Sequence, residues 1–418
     1  MNENNNQEQI IEFKDSEQRE RERKEYKEKL RRHRRRSRLV GLGIILVLVA
    51  CAAAFLVYDQ GRIFQQYIIL WERDIDQSQG GEVIAWGKGV LQYSKNGASY
   101  IEKDGTVLWS VSYEMNHPTA VIQDDYGLIT DNQGNTFFIC SRNTGMTGSG
   151  QTPYAISQGQ VAAQGTAALV CENEDISYIY YYKATGERLD IEIKATLDRV
   201  GYPLALAISP DGKTLMVSYL YVEGGGMQNK IVFYDFSSET KETVAGTFSQ
   251  YADTDTVVPA LLFADNGHAV AIGDNLLTFY SIDLSGGGRK PSVTKSISLD
   301  HQIVSMFAEN GCVGLVWEST EASDPGASLE EPKKLLVLYD AAGNVIFSRE
   351  ISFSYRNIVY NGTYVVLYNA TECIVYTKNG KVKYENTFLN GISQVIPGPS
   401  SKEFYLITGG KLQRIRLR

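Results

Sequence analysis

Among 418 residues there are only five cysteines and four histidines. Four of the cysteines, Cys140, Cys171, Cys312 and Cys373, stand in apolar, strand-like runs such as 167-AALVCE-172 and 311-GCVGLVW-317. Spread this thinly they make no disulfide framework, and buried free thiols are the expected state. His117, His268 and His301 are too scattered to suggest a metal cluster. No Gly-x-Ser-x-Gly elbow is present, so nothing points to a serine hydrolase. The glycine run 222-VEGGGMQNK-230 lacks the Gly-Lys-Ser/Thr ending of a phosphate loop. It lies between two strand-like runs rather than before a helix, so it reads as a plain connection. Asp124 with Asp125, and Asp253 with Asp255, offer the oxygen ligands that calcium takes. On an acidic chain they read as solvated loops. No catalytic, cofactor-binding or metal-binding residue is therefore assigned, no cofactor is expected, and the ligand-binding residues stay unknown.

Long uncharged runs are scarce too, with one exception. The segment 39-LVGLGIILVLVACAAAFLVY-58 has no charge, and at ~1.5 Å per residue it spans ~30 Å, the hydrocarbon core of a bilayer. Directly before it stands 30-LRRHRRRSR-38, six arginines in eight positions. The positive-inside rule puts the N-terminus in the cytoplasm and everything after Tyr58 outside the cell. The rival is a cleaved lipoprotein leader, since 48-LVAC-51 fits such a cleavage site and would leave Cys51 lipidated. Against it, the polar leader is about twice the usual length and the apolar run continues past Cys51. An uncleaved signal-anchor helix over 39–58, contacting the lipid bilayer, is the expectation; whether Cys51 is lipidated stays open.

Charge divides at the same place. Residues 1–38 hold 13 basic and 9 acidic side chains, a net +4, and the remaining residues hold 28 and 40, a net −12. The basic stretch reads as a cytoplasmic tail, disordered or a solvated helix, held near lipid headgroups. The acidic body is no partner for nucleic acid.

Beyond a short linker, 59–66, the pattern becomes that of many short strands. Apolar runs of five to eight residues alternate with Gly, Asn, Asp and Ser turns up to Arg418. Only 194-KATLDRVG-201 resembles a short helix. The stretch 204-LALAISPDGKTLMVSY-219 is a strand, a tight turn and a strand, with Pro210 presetting φ and Gly212 supplying the positive-φ position. The same unit appears in 83–94, 119–130, 159–170, 259–273, 303–317, 357–368 and, without its glycine, 392–408. Gly89, Gly127, Gly165, Gly212, Gly267, Gly311 and Gly362 are thereby separated by 38, 38, 47, 55, 44 and 51 residues. That unit length suits four-stranded propeller blades.

A second glycine turn follows the first in 100-YIEKDGTVLWS-110, 181-YYKATGERLD-190, 339-YDAAGNVIFSRE-350 and 376-YTKNGKVKYEN-386, as the third-to-fourth strand hairpin of each blade would. Eight first hairpins predict an all-β propeller of eight blades over 67–418, preceded by one transmembrane helix. Seven blades follow if 159–203 folds into a neighbour. The last copy runs out of strands, and 67-YIILWERDI-75 is the natural supplier of the missing outer one, which would close the ring with N- and C-terminal strands in one blade.

The pattern Asp-x-x-Gly-x-x-x-aromatic in 340-DAAGNVIF-347, with 103-KDGTVLW-109, resembles the repeats of quinoprotein-like propellers, and 209-SPDGKTLMVS-218 resembles WD40-like ones. A basic tail, one anchor and an outward propeller together resemble an uncharacterised single-pass, membrane-anchored propeller family of Gram-positive bacteria, a domain of unknown function. The resemblance covers nearly all of residues 30–418 and implies no activity. Quinoprotein dehydrogenases of similar fold hold a quinone and calcium in the funnel and carry a regular tryptophan-docking repeat. Here only Trp109 falls at that position, with Phe347 and Tyr384 in equivalent places. The twenty-six tyrosines read mainly as packing residues, as in 178-YIYYYK-183, with a sugar-binding platform as the other use of them.

The expected function is a non-enzymatic, membrane-anchored extracellular scaffold that binds a cell-envelope protein. The alternatives are a binder of a cell-wall or surface polymer and, further off, a quinone- or metal-dependent enzyme. The insertion 318-ESTEASDPGASLEEPKK-334 is the one loop long enough to suggest a binding role.

Overall fold

In the computed structural model the described residues are those from 21 to 418 other than 22, 25, 30, 32, 34–39, 52–53, 55–57, 59–60, 76–80, 238–242, 250, 252–255, 287, 319–333, 399 and 401. The chain divides into two compact units, 1–62 and 63–418. In the first, the described residues from 21 to 61 are helical, without interruption only over 40–51. Among the described residues no helix is long and apolar enough to cross a membrane. The membrane-crossing helix expected over 39–58 is thus not found among the described residues. Residues 39, 52–53 and 55–57 of the expected span lie outside them.

The second unit is eight four-stranded antiparallel sheets, one per blade. In chain order the blades cover 82–112, 118–151, 155–196, 202–248, 260–298, 303–351, 357–387 and 394–417. Each of the eight repeated hairpins forms the inner two strands of one blade, and 155–196 has a sheet of its own. The count is eight, not seven. The outer strand of blade 8 is Tyr67–Asp74, paired antiparallel with Lys411–Leu417.

Burial explains why the inner strands are easier to read than the outer ones. Each blade is covered on both faces by its neighbours, so Tyr364–Tyr368 and the first five residues of Ala167–Asn173 are continuous buried apolar runs. The outer strand Arg188–Thr196 alternates instead, because its second face meets water. The apolar clusters lie between blades. One joins Val170, Ile179 and Tyr181 of blade 3 to Leu215, Val217 and Tyr219 of blade 4. Truncating a side chain there, Leu215→Ala for example, costs roughly 2–5 kcal/mol.

Polar contacts brace the same junctions. The indole N–H of Trp109 in blade 1 donates to the Arg142 carbonyl of blade 2 at 2.8 Å. Its ring covers Gly145, which has φ +81 and where an added side-chain carbon would lie only 3.2 Å from the indole. Trp71 in the closing strand does the same to blade 1, donating to the Lys103 carbonyl at 2.8 Å over Gly105. The docking position is therefore not unique to Trp109. Trp71 escapes the repeat because it precedes the blade that it completes by more than 300 residues. Lys295 and Arg349 reach the Gly343 and Gly380 carbonyls of the next blade, each at 2.6 Å.

Three local expectations change. The seven repeat glycines are not equivalent: Gly165, Gly212, Gly311 and Gly362 adopt positive φ, but Gly89 and Gly127 begin or lie within strands. Their turns use Gly87–Lys88 and Asp124–Asp125. At Gly89 a side chain would strike the Ile101 carbonyl, and at Gly127 it would press on the Trp86 ring, so close approach is the reason for glycine. The short helix expected within 194–201 is a turn, with the Arg199, Val200 and Gly201 amides all directed at the Thr196 carbonyl; four residues are too few to nucleate a helix. Finally, the linker segment 59–66 includes Phe64, which is buried and pairs with blade 7.

Candidate functional site

Consecutive antiparallel strands put the first turns of all eight blades and the third turns of blades 1 to 7 on one face of the ring, and the second turns and blade-to-blade connections on the other. A recess opens on each face.

On the first face the innermost turns of all eight blades surround the mouth of the central channel, a cavity of about 730 Å³. The turn of 209-SPDG-212 shows how this rim is built. The Gly212 amide closes onto the Ser209 carbonyl at 2.8 Å. The Asp211 carboxylate accepts from Ser209 Oγ at 2.7 Å and from the Arg289 guanidinium at 2.6 Å. The Asp211 amide donates to Asn266 Oδ1 of blade 5 at 2.9 Å. Burial works to raise the Asp211 pKa, but these hydrogen bonds and Arg289 outweigh it and hold the group below the usual range. This aspartate ties blades together and is not available for chemistry.

The charged groups facing the mouth are Asp124, Asp265, Glu309 and Arg142. Asp265 is engaged with His268 Nδ1 at 3.0 Å, and Arg142 pairs with Asp125. Glu309, exposed at the end of its strand, looks into the channel mouth, and partial loss of water there raises its pKa to about 7. Asn310, at φ +50, donates to it at 3.3 Å. The rim is polar and mildly acidic, with its side chains mostly occupied by one another.

On the second face a groove of about 590 Å³ opens between blades 3 and 4. Its walls are the hairpin tip at Glu174–Asp175, the turn over 197–200, and the second hairpin of blade 4. That hairpin, Thr214–Glu223 with Gly226–Asp235, has strands of ten residues, longer than the middle strands of any other blade. Gly224 and Gly225 turn it at φ +62 and +86. The glycine run expected to connect middle strands does so, but only these two residues form the turn. The lining is mostly apolar, from Ala195, Leu197, Leu220 and Met227. Tyr202 spans it, its hydroxyl donating to Glu172 at 2.6 Å.

A smaller recess of about 210 Å³ lies beside Trp317. The His301 ring stacks on the indole with centroids 6.0 Å apart, and its Nδ1 is buried without a hydrogen-bond partner among the described residues.

The candidates raised by the sequence do not converge. His117 precedes the first strand of blade 2, His268 stands in the first hairpin of blade 5, and His301 lies between blades 5 and 6. Among the described residues no three His, Cys, Asp or Glu side chains stand together to hold a metal. Asp253 and Asp255, and insertion residues 319–333, lie outside the described residues. The four cysteines of the propeller are buried and free. Tyr180, Tyr181 and Tyr182 are buried as well, so they pack the blade and offer no sugar platform. The groove is what sequence reasoning missed. Its residues come from three separated stretches, and the only signals were the long glycine hairpin and the 197–201 turn.

Eight four-stranded blades closed by the N-terminal strand define the class: an eight-bladed β-propeller. The sequence matches a family of unknown function, DUF5711, over residues 60–417, and the chain belongs to that family. No curated protein matches the sequence. Among solved structures, BamB from Moraxella catarrhalis is similar over 84% of this chain and 100% of its own, at 12% identity and a TM-score of 0.50. The Dos1 propeller is similar over 84% of this chain and 95% of its own, at 11% identity and a TM-score of 0.50. Hydrazine synthase from Kuenenia stuttgartiensis is similar over 80% and 94%, at 10% identity and a TM-score of 0.43. Likeness at these identities concerns the fold alone.

Proposed function

We propose that the protein is a membrane-anchored extracellular scaffold that binds a cell-envelope protein through one face of its propeller, without catalysing a reaction. The observation that carries this reading is the open groove between blades 3 and 4 on a ring braced at its junctions. Leu197 and Met227 stand there 47% and 61% exposed, apolar surface of the kind that protein interfaces cover. A cross-braced ring holds such a surface in a fixed shape, which limits the ordering cost of binding. The uncharged run 39–58 behind six arginines supports the anchor and the orientation, cytoplasmic N-terminus and outward propeller.

In-cell crosslinking of the full chain, with a truncation ending at residue 66 as control, tests the reading. One envelope protein captured only with the propeller present is the expected result. The same proteins captured by the truncation, or none, would overturn it. A surface polymer is the second reading, favoured by the Trp317 recess, since an indole face is a common platform for sugar rings. It predicts that the protein sediments with purified cell wall and that Trp317→Ala abolishes this.

A further inference from the structure

Groove, hairpin and acidic rim coincide at blades 3 and 4 in a way that specifies what would bind. Four carboxylates line the groove, Glu172, Glu174, Asp175 and Asp198, and against them the turn that walls it carries one basic residue, Arg199, beside Asp198. Glu172 is engaged by Tyr202. Asp198 is held below its usual pKa, chiefly by the Thr196 hydroxyl. Glu174 and Asp175 sit side by side at the hairpin tip, with no ion-pair partner among the described residues, and Glu174 is at φ +53. Adjacent like charges without a counter-charge disfavour each other, and a cation brought between them removes the repulsion. Behind these charges the floor is apolar. Val222, paired directly with Met227 on the projecting hairpin, extends the apolar surface at 50% exposure.

We propose that this groove docks a short, basic, amphipathic segment of a partner protein, with its apolar side chains against Leu197, Leu220 and Met227 and its lysines or arginines against the four carboxylates. The proposal rests on the scaffold reading and gives that reading a partner chemistry. Charge complementarity selects the occupant. Anionic lipid headgroups, nucleic acid and anionic wall polymers would all be repelled by the rim and by the net −12 of residues 39–418. A neutral sugar chain would leave the carboxylates unanswered. A basic segment with apolar residues fits both, and the volume of about 590 Å³ lies within the ~300–1,000 Å³ that suits a small ligand or a few side chains.

The test uses the full chain in nanodiscs, with empty nanodiscs as blank, and a fluorescent 12-residue peptide of alternating lysine and leucine. Two companions replace every lysine by glutamate or every leucine by serine. The lysine–leucine peptide is expected to bind saturably, and both companions at least tenfold more weakly. The Leu197→Ser/Met227→Ser and Glu174→Gln/Asp175→Asn variants change exposed side chains only, and each should weaken binding at least tenfold, while Asp265→Asn on the opposite face should not. Equal binding of the glutamate companion, equal binding by both groove variants, or no binding would overturn the proposal. A photo-reactive residue at position 197 or 310, used in cells, separates the two readings. Capture of a protein from 310 but not 197 removes the groove proposal and leaves the scaffold standing. Capture from neither removes both.

Discussion

The indole N–H of Trp71 donates to the backbone carbonyl of Lys103 at 2.8 Å, and the same carbonyl accepts from the Arg414 guanidinium. Trp71 is in the N-terminal strand of blade 8, Arg414 in its C-terminal strand, and Lys103 in blade 1. One acceptor therefore ties together both ends of the propeller and the blade on which they close. Trp71→Ala removes the ring that covers Gly105 and should lower stability by roughly 3 kcal/mol. Trp71→Phe keeps most of the packing and loses the hydrogen bond, for about 1 kcal/mol. Urea unfolding of the two variants checks the order. Equal loss in both would show that the packing does not matter.

Glu403 is the counter-charge of that seam. It is buried and accepts from Arg414 and, at 2.7 Å, from Arg416. Burial works to raise its pKa, but the two arginines outweigh this and hold it below the usual range. Its stabilising contribution is therefore present above the ordinary carboxylate range and lost as pH falls through its lowered value. Glu403→Gln leaves the half-buried Arg414 bonded to the Lys103 carbonyl but without its counter-charge, and should cost about 2 kcal/mol at neutral pH. The difference from wild type should shrink in acid, as read from thermal midpoints at pH 7 and pH 3.

At the channel mouth Glu309 has the opposite sign. Its pKa is pushed up to about 7 from the usual 4.5 by loss of water, so the folded state holds this proton more tightly than the unfolded chain. The stabilisation is complete below pH 4.5 and is lost as pH rises through about 7. Glu309→Gln should leave the midpoint at pH 4 nearly unchanged and raise it at pH 8 relative to wild type. A variant that follows the wild-type pH profile would remove Glu309 from the account.

The propeller thiols should be silent until the fold opens. Cys140 and Cys171 are pushed up to about 12 by burial, and Cys373 is raised further, so almost no thiolate is present at neutral pH. Native protein treated with iodoacetamide should gain at most one adduct, at exposed Cys51, and unfolded protein five. Mass spectrometry distinguishes the two. Adducts at Cys140 or Cys171 in the native state would mean that a blade opens locally.

The sequence by itself determined the propeller class and the inner hairpins, because these are local, and it narrowed the blades to eight or seven, which the pairing of 155–196 as a sheet of its own decided. A strand with both faces covered is a continuous apolar run, and a tight turn shows its Pro-Asp-Gly chemistry. Position 212 needed no neighbours to be recognised as a turn glycine. Gly89 and Gly127 did need them, since what excludes a side chain there is Ile101 in the same blade and Trp86 in the blade before. The docking of Trp71 on Lys103 joins residues 32 apart in sequence, but it exists only because the ring closes through a pairing with Lys411–Leu417 more than 300 residues away. The groove was likewise decided by tertiary structure: three stretches that carry no common motif meet there because two adjacent blades turn their loops to the same face. Local patterns are set by nearest neighbours along the chain, whereas a recess belongs to the space between blades, and no run of sequence encodes that space on its own.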